Sequence, residues 1–111
     1  GYSGGGVIAT LLAARRSDVE RLVTVAAPLA VAEWTVWHRV TPLIGSLDPA
    51  MLVDARLPAA THFVGARDEV VPARIVAAFA ERSGGHLREV PGFDHVCCWS
   101  REWPRLLEEI K

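Results

Sequence analysis

The sequence predicts an α/β protein, half of a doubly wound parallel sheet flanked by helices. Three observations carry this. Helix-like and strand-like stretches alternate along the chain, in the order helix, strand, excursion, strand, helix, strand, helix. The first six residues, Gly1-Tyr2-Ser3-Gly4-Gly5-Gly6, hold a Gly-x-Ser-x-Gly turn that opens directly into a helical pattern. Ser3, Asp68 and His95 each fall in a loop just beyond a strand position, where open α/β sheets place their ligand chemistry.

The elements follow from local pattern. Val7, Ile8, Leu11, Leu12 and Ala14 recur at helical spacing, and Arg15 and Arg16 suit a helix C-terminus. A helix over residues 4–16, buried against a sheet, is expected. Arg21 to Ala26 is a short β-branched run that fits a buried parallel strand. Residues 28–58 carry four prolines, at Pro28, Pro42, Pro49 and Pro58. This stretch reads as an excursion between two strands that roofs a pocket, with short helices over 31–38 and 49–54. Thr61 to Val64 is the next strand. Pro72 opens a helix with Ile75, Val76, Phe79 and Ala80 on one face, and Gly84-Gly85 stops it. His86 to Val90 is the last strand, near an edge. Trp103, Leu106, Leu107 and Ile110 make an amphipathic stripe on a final helix starting near Ser100, with Pro104 in its first turn.

Composition narrows the function. With 111 residues the chain holds one domain at most, and half of it is hydrophobic, as for a packed interior. A net charge of −1 offers no basic stripe for nucleic acid, and no apolar run is long enough for a membrane span. No Met begins the sequence, and an elbow needs a strand before it. Residues 1–111 are therefore expected to be the C-terminal portion of a single larger domain whose early strands lie upstream. The adjacent Cys97 and Cys98 are expected to be free thiols packed as small apolar groups, because Cα atoms about 3.8 Å apart across a trans peptide are closer than disulfides prefer. The alternative is a strained vicinal disulfide acting as a redox switch.

The chemistry lies in three residues. In a strand-to-helix elbow the Ser3 backbone is strained, and glycines two residues before and after remove colliding side chains. The hydroxyl then stands clear of the sheet, and the Gly4 N–H is free to meet an oxyanion. A serine hydroxyl needs a base, which His95 can supply, and Asp68 can fix the imidazole from its other nitrogen. Glu69 is a rival to Asp68, but the strand ends just before Asp68. His38, His62 and His86 are rivals to His95, yet they lie in the excursion or within a strand. Asp94 reads as a loop-shaping residue. Tyr2, Trp34, Trp37 and His38 are candidates to line the substrate pocket, with packing of the excursion onto the sheet as the alternative for the two tryptophans. Trp99 and Trp103 read as core or helix-docking residues. His95, Cys97 and Cys98 lack any known zinc spacing, and no dinucleotide fingerprint is present, so neither a metal nor an organic cofactor is expected.

The chain order Ser, Asp, His is that of the α/β-hydrolases. The sequence resembles the C-terminal half of small bacterial serine hydrolases of this fold. The likeness rests on GYSGGG at the elbow, Glu33-Trp34-Thr35 through Gly45-Ser46-Leu47-Asp48-Pro49, Phe63-Val64-Gly65-Ala66-Arg67-Asp68, and Pro91-Gly92-Phe93-Asp94-His95-Val96-Cys97-Cys98-Trp99. The resemblance implies Ser3 as nucleophile, Asp68 as triad acid and His95 as base. It implies hydrolysis of a small-molecule carboxylic ester, thioester or amide, with acyl transfer on the same triad, or a non-catalytic truncated form, as alternatives.

Overall fold

The computed structural model describes residues 1–41, 45, 47–52 and 56–110. Its elements run α1 (Gly4–Arg15), β1 (Arg21–Val25), α2 (Val31–Trp37), a 3-10 turn (Pro49–Met51), β2 (Ala59–Gly65), α3 (Ala73–Ser83), β3 (His86–Val90) and α4 (Trp99–Glu108). The three strands form one parallel sheet in the order β1-β2-β3. Register pairs Thr24 with His62 and Phe63 with Arg88. Ahead of Ser3 the chain already runs beside β1. The Gly1 amino group donates to the Val23 carbonyl at 2.9 Å, the Val25 amide to Gly1 at 2.9 Å, and the Ser3 amide to Val25 at 2.7 Å. Tyr2 and Val25 make a parallel bridge. Gly1 to Ser3 thus run parallel to β1 and are tied to its end by backbone hydrogen bonds.

Alternate residues of a strand face opposite sides, and the sheet uses both. Val25, Phe63 and Val90 face α4 in a cluster with Phe93, Trp99 and Leu106. Val64 lies with Val71, Val76 and Phe79 in a second cluster, between the sheet and α3. Burial of a side chain such as Phe63, which has no exposed surface, contributes about 1.5–3 kcal/mol. On α3 the expected face is the buried one: Ile75, Val76, Phe79 and Ala80 are all inside. Gly84 ends that helix at φ 77°, a left-handed conformation that a side chain resists.

Four local expectations need correction. First, α1 buries Gly6, Thr10 and Ala13, while Ile8 and Leu12 are exposed. Its slim residues let the helix backbone approach β1, so its large apolar side chains point away. Second, the turn at Pro49 is a 3-10 turn ending at Met51, and Asp54 lies outside the described residues, as do Pro42 and Ser46. Third, α4 starts at Trp99, which puts Pro104 in its second turn. The proline removes a donor to the Ser100 carbonyl, and Ser100 is exposed to water. Fourth, Leu107 leaves the apolar stripe of α4 and is 39% exposed. No helix among the described residues is long and apolar enough to cross a membrane.

Candidate active site

The turn between the bridge at Tyr2 and α1 holds Ser3 at φ 51°, ψ −125°. A non-glycine residue held there costs about 1–3 kcal/mol and needs surrounding structure to keep it. Hydrogen bonds supply that frame: the Ser3 amide is held by β1, and the Gly5 and Gly6 amides close onto the Tyr2 and Ser3 carbonyls at 2.9 Å each. The glycines divide their work differently from the simple pattern. A Cβ on Gly1 would strike the Gly5 carbonyl, whereas one on Gly5 would meet nothing. Gly6 is the tight position instead, since its Cβ would lie 2.5 Å from that of Ala27. Gly4 begins α1, where a helix amide has no intrahelical acceptor.

Asp68 follows the end of β2. Its Oδ1 accepts the amides of Val70 at 2.8 Å and Val71 at 2.7 Å. Its Oδ2 lies 3.0 Å from His95 Nδ1, and the carboxylate side chain has no exposed surface. As a carboxylate it can only accept, so His95 Nδ1 carries the proton and Nε2 presents a lone pair. That Nε2 lies 3.0 Å from Ser3 Oγ. Ser3, beside the end of β1, and Asp68 and His95, beyond the ends of β2 and β3, therefore form one hydrogen-bonded line. The His95 side chain keeps 17% of its surface open to solvent.

The loop bearing His95 is fixed from several directions. The Tyr2 hydroxyl donates to the His95 carbonyl at 2.6 Å, and the two rings lie 5.5 Å apart. Asp94 accepts the amides of Val96 at 2.8 Å and Cys97 at 2.6 Å. These amide donors, chiefly that of Cys97, lower the Asp94 carboxyl below its ordinary range. Trp99 Nε1 donates to the Asp94 carbonyl at 3.1 Å. The two cysteines that follow form a vicinal disulfide rather than two free thiols. The peptide joining them is cis, and their Cα atoms are 3.0 Å apart.

Tyr2 borders an apolar cavity of about 630 Å³ with Val25, Val96, Trp99 and Trp103. Trp34 and His38 direct their ring nitrogens at the Val70 carbonyl. Trp37 is 47% exposed and lies under the Arg74 guanidinium, 4.8 Å from its ring centre. Sequence reasoning missed the Val70 and Val71 amides. Their signal is an Asp followed two and three residues later by free amides ahead of a proline, a local side-chain turn.

No protein-family model matches the chain, and no curated protein matches it. The chain is similar in structure to the esterase domain of a Rhodothermus marinus protein, with TM-score 0.75 and 15% identity over 99% of this chain and 57% of that one. It is similar to Est1E from Butyrivibrio proteoclasticus, with TM-score 0.73 and 20% identity over 99% and 57%. It is also similar to MGS-MChE2, an α/β-hydrolase enzyme from the metagenome of sediments of the Mar Chica lagoon, Morocco, with TM-score 0.72 and 21% identity over 99% and 58%. The chain thus spans little more than half the length of these proteins. Its fold is that of the C-terminal half of an α/β-hydrolase.

Proposed function

We propose that the chain is the catalytic-residue-bearing part of a serine hydrolase that cleaves a carboxylic ester, or a related thioester or amide. The observation that carries this reading is the continuous line from Ser3 Oγ through both nitrogens of His95 to the buried Asp68, at 3.0 Å on each side. In this reading the Ser3 oxygen attacks the substrate carbonyl carbon as its proton passes to His95 Nε2. Asp68 stabilises the imidazolium and keeps Nδ1 protonated. The carbonyl oxygen becomes an oxyanion, which the Gly4 amide can receive. Collapse of the tetrahedral species breaks the bond to the leaving group, and His95 returns the proton to it. Water, deprotonated by His95, then attacks the acyl carbonyl carbon, and the bond to Ser3 Oγ breaks as His95 returns the proton to that oxygen, releasing the acid.

The similar Rhodothermus marinus structure is an esterase domain, which supports the reading at the level of reaction class, and the fold admits the same chemistry. The test is a fluorophosphonate probe on the full-length protein, with the labelled residue located by mass spectrometry. Ser3 is the expected site, Ser3→Ala is expected to lose the label, and His95→Ala to slow it by about 10³-fold or more. Labelling that persists in the Ser3→Ala protein removes Ser3 from its role.

A further inference from the structure

Trp34 and His38 stand one turn apart on the path of α2 and converge on a single atom. Trp34 Nε1 donates to the Val70 carbonyl at 2.8 Å, and His38 Nε2 lies 2.5 Å from the same oxygen. A carbonyl oxygen has two lone pairs, so it can accept both, and His38 then carries a proton on Nε2. The two rings also pack together, with centroids 4.8 Å apart. From its other side the same residue serves the carboxylate: the Val70 amide, with that of Val71, donates to Asp68 Oδ1. Val70 is itself 41% exposed, so burial does not fix its peptide. The two ring nitrogens meet its carbonyl from the α2 side.

The clamp is anchored at both ends. Trp34 packs against the cluster of Leu29, Val64 and Val71. At the start of α2, Asp48 accepts the amides of Val31 at 2.9 Å and Ala32 at 3.0 Å, satisfying donors that a helix N-terminus leaves open. We propose that Trp34 and His38 are positioning residues: they hold the Val70 peptide, and through it the Asp68 carboxylate, in the orientation that serves His95. The proposal rests on the serine-hydrolase reading. It makes the segment between β1 and β2 a determinant of rate, acting without touching the substrate.

The test uses the full-length protein carrying Trp34→Phe, His38→Leu, both together, or His38→Gln, which keeps an N–H donor. Three quantities are measured: the rate of fluorophosphonate labelling at Ser3, kcat and KM on p-nitrophenyl acetate, and the thermal midpoint. In the double variant, labelling rate and kcat are expected to fall about 10- to 30-fold with KM within about twofold, since small misplacements near reacting groups are costly. His38→Gln is expected to keep most of the wild-type rate. Labelling of the double variant at the wild-type rate overturns the proposal. So does a raised KM with unchanged kcat, which would put these side chains against the substrate. Should the double variant not fold, the single variants Trp34→Phe and His38→Leu decide by the same readouts, each about three- to fivefold slower if the clamp acts as described. Failure of the underlying serine-hydrolase reading looks different, because the wild-type protein itself would then not label at Ser3, and the proposal would fall with it.

Discussion

Replacing Gly65 with alanine is expected to dislodge the acid and histidine loops from each other. Gly65 ends β2, and a Cβ built on it would sit 2.5 Å from the Phe93 carbonyl oxygen, 2.8 Å from its carbon and 3.0 Å from the Asp94 oxygen. These are backbone atoms, so no side-chain rotation relieves the clash. Reaching the 3.4 Å of ordinary contact requires a retreat of about 0.9 Å. The Phe93 carbonyl cannot retreat freely, because it accepts the Arg67 amide at 2.8 Å. Moving it by that amount stretches the bond to about 3.7 Å, beyond hydrogen-bond range. Losing the bond costs about 1 kcal/mol, and the remaining overpacking about 1–3 kcal/mol. Asp68 and His95 stand three and two residues beyond the colliding pair. A shift of about 1 Å between them is expected to reduce turnover on the order of 10²-fold. Urea unfolding of the full-length protein measures the first effect, and the rate of fluorophosphonate labelling the second. An unchanged unfolding midpoint together with an unchanged labelling rate would refute the reasoning.

Two further outcomes follow from other contacts. Tyr2→Phe removes only the hydroxyl that donates to the His95 carbonyl; because that carbonyl can regain water, labelling is expected to slow about two- to fivefold, and a wild-type rate would show that the bond does not place the histidine. His62 is buried beside Thr24, its Nε2 has no hydrogen-bond partner among the described residues, and burial pushes its pKa down to about 4. The unfolded chain therefore binds a proton on His62 that the folded chain refuses, and stability is lost as pH falls from 6.5 toward about 4. The size is about 3 kcal/mol at the low end of that window. Urea midpoints of wild type and His62→Gln, followed from pH 7 to 4, are expected to converge as the pH falls, and parallel curves would count against it.

The sheet was legible because its strands carry their own signal. The β-branched run at residues 21–25 and the segment 86–90 need little context, and α3 is marked by Ile75, Val76, Phe79 and Ala80 together with the left-handed Gly84. The line of Ser3, Asp68 and His95 was legible because topology alone brings strand ends to one rim. Asp68 rather than Glu69 takes the place beside His95, since the Val70 and Val71 amides close on its other oxygen. The α1 face was misread because hydrophobicity is not the same as burial. Ile8 and Leu12 look like a core stripe, yet Gly6, Thr10 and Ala13 are thin enough to let the helix lie against β1. The convergence of Trp34 and His38 on Val70 was out of reach for a different reason. It joins residues 36 and 32 positions apart through a peptide oxygen, an atom every residue possesses and no sequence pattern marks.

The backbone at Ser3 sets the fold at odds with the role proposed for its hydroxyl. With φ at 51°, the position suits glycine better than any residue bearing a Cβ. A lineage with no further need of the hydroxyl would be drawn toward glycine here by about 1–3 kcal/mol. Drift would then erase the hydroxyl before it disturbed the architecture, leaving a well-packed descendant with the histidine and aspartate still facing each other.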